Sequence, residues 1–226
     1  MRSNYIELKT LLQFILFLSF IGCNSTNVKE DSVEQPKSKT EVTEKQKIIF
    51  FGNSITAAYK LDPKDAFSNI IQTKIDSLGL NYECINAGNS GETTAGGLNR
   101  LNWVLNNGCD VFVLELGAND GLRGLPLDNT EKNLNAIIDL VFEKYPKCKV
   151  LLCGMKVPPS MGDTYSLQYD EMFARIGNRK EVTFLPFILD GVAGNPQLNL
   201  EDGIHPTTEG HKILAENVWE KLKPLL

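Results

Sequence analysis

The sequence predicts an α/β fold: a three-layer, flavodoxin-like sandwich with a five-stranded parallel sheet in the order 2-1-3-4-5 and helices on both faces. Three observations lead there. From residue 48 onward, short β-branched or aromatic runs alternate with stretches whose apolar residues recur at helical spacing. The alternation yields five strands, which implies parallel pairing with helical crossovers. The Gly- and Asn-rich segments fall where strands stop, and open parallel sheets place their sites outside the carboxyl ends of their strands.

Ile48-Ile49-Phe50-Phe51 reads as the first strand. Gly52 and Asn53 then permit a sharp turn, which places Ser54 between a strand end and the start of a helix. Ala66 to Leu78 carries Phe67, Ile70, Ile71, Ile75 and Leu78 at helical spacing, with Gly79 as its stop. Tyr82 to Asn86 is a short strand. Thr93 to Leu105 is a helix with Leu98, Leu101 and Leu105 on one face. Val111 to Leu116 is the strongest strand, and Leu134, Ile137, Ile138, Val141 and Phe142 mark the helix after it. Lys149 to Cys153 is a strand, Glu171 to Ile176 is helical, and Val182 to Leu185 is the last strand, cut by Pro186. Pro206 opens the final helix, with Ile213, Leu214, Val218 and Leu222 inward.

The N-terminus reads as an address. Arg2 and Lys9 flank a short apolar core, Leu11 to Gly22, of the length of a signal-peptide h-region and too short to span a bilayer. It ends Phe20-Ile21-Gly22-Cys23, which resembles a bacterial lipobox, with Phe20 in place of the usual Leu. The resemblance implies that residues 1–22 are removed and that Cys23 is lipidated. Residues 24–47 hold five Lys against five acidic residues and no aromatic, and read as a flexible tether. The expected organisation is thus a signal peptide at 1–22, a lipidated Cys and tether at 23–47, and one domain at 48–226. The chain would sit in an exported bacterial cell envelope, on the periplasmic or outer-membrane side. Its net charge is −5; residues 1–22 contribute +1 and the tether nothing, so the domain carries −6. That argues against a nucleic-acid partner or an anionic headgroup patch.

Four cysteines follow Cys23. None lies in a C-x-x-C pair and the chain has two histidines, so no metal site is expected. Cys84 and Cys153 sit inside apolar runs and read as buried thiols. Cys109 and Cys148 each stand just before a strand, and in the 2-1-3-4-5 order those strands are neighbours. Starts in register would bring the two Cα atoms within the ~4.4–6.8 Å of a disulfide, whereas a one-residue offset would separate the sulfurs.

Serine-based acyl chemistry needs a nucleophile with a base, an orienter for the base, and donors for the oxyanion. Ser54 is the candidate nucleophile, and its plainer alternative is a helix cap. His205 stands three residues after Asp202, a spacing that lets one turn point the carboxylate at one ring nitrogen; its plainer alternative is a helix-start histidine. His211, inside the last helix, reads as a surface or half-buried residue. Asn119, in Gly117-Ala118-Asn119-Asp120, can donate a side-chain amide, or simply tolerate a tight turn. Gly91 permits φ > 0 and a backbone N–H aimed into the rim, or is an ordinary loop glycine.

Together these residues resemble the SGNH, or GDSL-type, hydrolase family, named for a serine, a glycine, an asparagine and a histidine in four separate blocks. The match runs from about Ile48 to the C-terminus and maps these onto Ser54, Gly91, Asn119 and His205, with Asp202 as the triad acid. Gly52 to Tyr59, Leu114 to Gly124 and Asp202 to Pro206 look like the bacterial thioesterase/lysophospholipase/arylesterase group. The first block reads Gly-Asn-Ser-Ile rather than Gly-Asp-Ser-Leu, and Ala118 replaces the second glycine of Gly-Gly-Asn-Asp. Absence of G-x-S-x-G argues against the α/β-hydrolase fold. The resemblance implies catalytic Ser54, Asp202 and His205, an oxyanion hole of Ser54, Gly91 and Asn119, and no cofactor. It implies a small-molecule or lipid ester as substrate, and a monomer is the expected state. A carbohydrate acetylesterase of the same family and a non-catalytic binding lipoprotein are the alternatives.

Overall fold

The computed structural model describes residues 44–226. The expected signal peptide, Cys23 and the tether as far as Thr43 lie outside the described residues. Five strands form one sheet: β1 (Gln46–Gly52), β2 (Tyr82–Gly88), β3 (Val111–Glu115), β4 (Lys149–Cys153) and β5 (Val182–Leu185). Their order is β2-β1-β3-β4-β5 and every pairing is parallel, as the alternation predicts. The helices are α1 (Phe67–Ser77), α2 (Thr94–Val104), α3 (Ala118–Leu122), α4 (Leu127–Lys144), α5 (Asp163–Gly177) and α6 (Thr208–Leu222). The chain steps outward from β1 to β2, then crosses back over β1 to β3 and keeps that direction. Right-handed crossovers therefore put α1 on one face and α2, α4 and α5 on the other. α6 returns to pack on α1, while α2 and α5 both pack on α4. Every residue of the central β3 is buried, Glu115 included.

Several boundaries differ from the expectation. β1 begins at Gln46, so the expected tether ends inside the sheet: Gln46 and Lys47 pair with Tyr82 and Glu83. Ladder bonds need no apolar side chain, and the Lys47 amine caps the Asn107 carbonyl at 2.6 Å. α4 and α5 start well before Leu134 and Glu171, because their first turns, Leu-Asp-Asn-Thr-Glu-Lys-Asn and Asp-Thr-Tyr-Ser-Leu-Gln-Tyr-Asp, show little apolar periodicity. Pro206 does not open α6. Thr207 caps it, accepting the Gly210 N–H at 3.2 Å, and Pro206 sits one residue earlier in a bridge to Asn199.

Ser54 does not open a helix either. Residues 54–60 form successive turns, with Ala57 N–H on Asn53 O and Tyr59 N–H on Ser54 O, both at 3.0 Å. Ala58 and Lys60 take φ of +52° and +62°, which breaks the helical path. His211 is buried rather than at the surface. Its Nδ1 accepts the Phe67 N–H at 3.2 Å at the start of α1, and its ring stacks on Phe67. Cys153 is fully buried, but Cys84 is only half-buried because β2 is the sheet edge. Val111 pairs with Lys149, so one step back Cys148 faces Asp110 and the two strand starts are offset by one residue. The offset does not separate the sulfurs: Cys109 Sγ and Cys148 Sγ lie 3.5 Å apart as free thiols.

Candidate active site

The parallel sheet brings distant loops to one rim. Gly52 at the end of β1 lies opposite Gly88 on β2 and Glu115 on β3, so the segments that follow these strands leave the sheet at one level. Ser54 follows β1, Gly91 follows β2 and Asn119 follows β3. The loop Leu200–Pro206 then closes over β1's end from elsewhere in the chain. It is tied by Leu200 N–H to His205 O at 2.7 Å and turns at Gly203, whose φ is +69°.

In that loop Asp202 Oδ1 accepts the N–H groups of Ile204 (2.9 Å) and His205 (3.0 Å), and Oδ2 meets His205 Nδ1 at 2.8 Å. The two backbone donors, that of His205 foremost, and then the His205 ring hold the Asp202 carboxyl far below the usual carboxylate range. An ionised Asp202 accepts only, so Nδ1 carries the proton and Nε2 is left as an acceptor. Nε2 lies 2.8 Å from Ser54 Oγ, 151 residues away in sequence. A hydroxyl, an imidazole and a carboxylate joined in this order can draw the proton from the hydroxyl as it attacks. Tyr59 covers the imidazole, with ring centroids 4.6 Å apart.

Glu115 organises the turn that carries Ser54, a role the sequence reading missed. Fully buried, it accepts from Asn53 Nδ2 and Thr56 Oγ1, each at 2.7 Å, and more loosely from the N–H groups of both residues. Burial pushes its carboxyl up to about 7, with these four hydrogen bonds pulling the other way. Asn53 Oδ1 accepts the Ile55 N–H at 2.9 Å, so Asn53 links Glu115 to the residues on both sides of Ser54. The approach is close enough to demand glycine at 52: a Cβ there would stand 2.1 Å from Thr56 Oγ1 and 2.6 Å from the Glu115 carbonyl oxygen. The one available signal was a carboxylate inside an otherwise apolar strand.

Gly91 adopts φ of +80°, and its carbonyl accepts from Arg123 Nη2 at 2.9 Å. Asn119 donates one Nδ2 hydrogen to the Glu92 carbonyl at 3.0 Å; the amide has a second to offer. Glu92 is itself clamped by Arg100, whose Nε reaches both carboxylate oxygens (2.7 and 2.8 Å) while its guanidinium lies 4.2 Å over the Phe51 ring. The loops bearing Gly91 and Asn119 are thereby fixed to each other and to β1. Asp120 faces away from the rim and anchors α2, accepting the Thr94 N–H and hydroxyl at 2.9 and 2.6 Å. Tyr59, Leu122 and Ile204, on the segments that carry Ser54, Asn119 and His205, are exposed apolar side chains. Val157 packs near Gly121, so part of the Val157–Tyr165 stretch borders the same rim; Asp163–Tyr165 belong to α5. Among the described residues no group of three or more His, Cys, Asp or Glu is placed to hold a metal.

A parallel sheet carrying a hydroxyl–imidazole–carboxylate chain on its carboxyl rim defines a hydrolase-type scaffold. The chain belongs to the GDSL-like lipase/acylhydrolase family, whose model matches residues 50–213. It is 35% identical over 188 residues to an esterase, TesA, of Pseudomonas aeruginosa, covering 83% of this chain and 92% of that one. It is 32% identical over 178 residues to an arylesterase of Vibrio mimicus, covering 78% and 88%. The crystal structure of TesA superposes with a TM-score of 0.76 at 36% identity over 80% of this chain and all of that one. That of AlinE4, an SGNH-hydrolase family esterase, gives 0.66 at 34% identity over 81% and 98%.

Proposed function

We propose that this protein is a serine ester hydrolase that cleaves carboxylic esters and thioesters through an acyl-enzyme. The observation that carries the reading is the Ser54 Oγ···His205 Nε2 and His205 Nδ1···Asp202 Oδ2 pair of contacts, each 2.8 Å. Ser54 Oγ attacks the acyl carbonyl carbon and its proton passes to His205 Nε2. Asp202 fixes the His205 tautomer and stabilises the imidazolium. The N–H groups of Ser54 and Gly91 and the free amide hydrogen of Asn119 receive the oxyanion. His205 then protonates the departing alcohol or thiol, and water, activated by the same imidazole, releases the acid from Ser54.

The exposed apolar side chains of Tyr59, Leu122 and Ile204, on the segments that carry Ser54, Asn119 and His205, favour an acyl or aryl substrate over an acetylated sugar. The relatives named esterase and arylesterase support the same class. A panel of p-nitrophenyl esters of rising chain length, beside an acyl-CoA and an acetylated sugar, should show turnover of the first two. Ser54→Ala should lower esterase kcat by about 10⁴-fold or more with the fold intact. A fluorophosphonate should label Ser54; undiminished labelling of Ser54→Ala would sink the assignment.

Placement at a membrane is part of the same proposal and rests on the lipobox-like Phe20-Ile21-Gly22-Cys23. The mature chain would begin at Cys23 with acyl chains attached. Cys23→Ser should release it into the soluble fraction, and a mature N-terminus at another residue, unmodified, contradicts the anchor.

A further inference from the structure

The two thiols at the amino ends of the strands stand apart from the active rim. Cys109 and Cys148 are each 5% exposed, and their sulfurs touch at 3.5 Å despite the one-residue offset of β3 and β4. In a regular ladder, residues one step out of register point to opposite faces. These two meet because neither lies in the ladder. Cys109 follows Gly108, whose φ of +95° turns the chain, and Cys148 closes a turn with its N–H on the Tyr145 carbonyl at 2.9 Å. Tyr145 also ties the two loops together. Its hydroxyl donates to the Leu105 carbonyl and accepts the Gly108 N–H at 3.1 Å. The loop bearing Cys109 is thus pinned to the loop bearing Cys148.

Both residues also border open space. Cys109 and Cys148 line a surface cavity of about 330 Å³ with Asp110, Lys144, Tyr145 and Lys147, room enough for a small organic disulfide. Among the described residues the other two thiols lack this arrangement: Cys153 is sealed in the sheet core and Cys84 lies on the edge strand.

We propose that Cys109 and Cys148 are a covalent modification site, a vicinal dithiol that closes to a disulfide by exchange with an organic disulfide. One protein sulfur, as thiolate, attacks R–S–S–R to give a mixed disulfide and release RS⁻. The second protein sulfur attacks the mixed disulfide and releases the other RS⁻. Two protein S–H bonds and one reagent S–S bond are lost; one protein S–S bond and two RSH are formed, and the protein is oxidised by two electrons. Bonding needs the sulfurs to approach from 3.5 Å to about 2.05 Å. The bond would tie the starts of β3 and β4 at the end of the sheet away from Ser54. It therefore stabilises the fold without touching the chemistry, and it does not rest on the ester-hydrolase reading.

The test is differential alkylation of the full chain. The reduced protein is incubated with bis(2-hydroxyethyl) disulfide, blocked, denatured, digested and mapped by mass spectrometry. A single cross-linked Cys109–Cys148 peptide should appear, with Cys84 and Cys153 recovered as free thiols. Oxidation should raise the melting temperature by about 5–10 °C and leave kcat and KM unchanged. Cys148→Ser should show neither the cross-link nor the rise. Recovery of both cysteines as free thiols overturns the proposal. So does a mercaptoethanol adduct that never resolves to the internal bond, or a link from either residue to Cys84 or Cys153.

Discussion

Asn119 shows how one side chain is made ready by its neighbours. Its amide is held by the Glu92 carbonyl at 3.0 Å, and Glu92 is held by Arg100. One hydrogen is used in that positioning, and the amide has a second to offer. If Asn119 serves the oxyanion as proposed, Asn119→Ala should lower kcat by about 10²–10³-fold with KM little changed, since the amide would then act on charge that develops only in the transition state. Steady-state kinetics on a p-nitrophenyl ester checks this, and a change confined to KM would contradict it. At this scale the sequence was legible where chemistry is local. Asp202 and His205 are three residues apart and one turn joins them. It was silent where partners are remote. Glu115 meets Asn53 across 62 residues and His211 meets Phe67 across 144; a carboxylate in an apolar strand marks Glu115 as unusual, but neither position names its partner.

The elements that matter most are the turn after β1 and the strand beside it. The turn has no helix to hold it; Glu115, at the end of β3, does that work through Asn53 and Thr56. Gly52→Ala should force the two strand ends apart, because the added Cβ would lie 2.1 Å from Thr56 Oγ1 and 2.6 Å from backbone of β3. The expected result is a loss of thermal stability together with a loss of esterase activity. Wild-type melting and kinetics in Gly52→Ala would show that the turn can relax. Strand identity was readable in β1, β3 and β4, whose runs are largely apolar because inner parallel strands are buried on both faces; the edge strand β2 carries Glu83 and Asn86 and is only partly buried. Helix starts were not readable, since the opening turns of α4 and α5 face water and lack apolar periodicity. The turn at 54–60 was misread because positive φ at Ala58 and Lys60 leaves no mark in those residue types.

Across the whole molecule, two buried groups on different layers pull the pH dependence of stability in opposite directions. Glu115 titrates near 7 in the fold, above its ordinary 4.5. The native state then binds more protons than the unfolded chain between those values, so this group's contribution falls as pH rises from 4.5 to 7. Cys153 and Tyr169 also face Glu115, and burial raises both well above their ordinary values, so they stay uncharged there. Burial at the α1–α6 contact lowers His211 from 6.5 to about 4, only partly opposed by Asp65. Here the unfolded chain binds the extra proton, so this contribution rises with pH between 4 and 6.5. Each term amounts to about 3 kcal/mol across its window at about 1.4 kcal/mol per pKa unit. They cancel where the windows overlap, and wild-type stability should be nearly flat from pH 4.5 to 6.5. Glu115→Gln should leave the His211 slope alone, so its stability climbs with pH. His211→Asn, whose amide oxygen can still accept the Phe67 N–H, should leave the opposite slope. Urea unfolding at half-unit pH steps measures both. Slopes of the same sign in the two variants would mean that one of these groups does not titrate as its surroundings dictate.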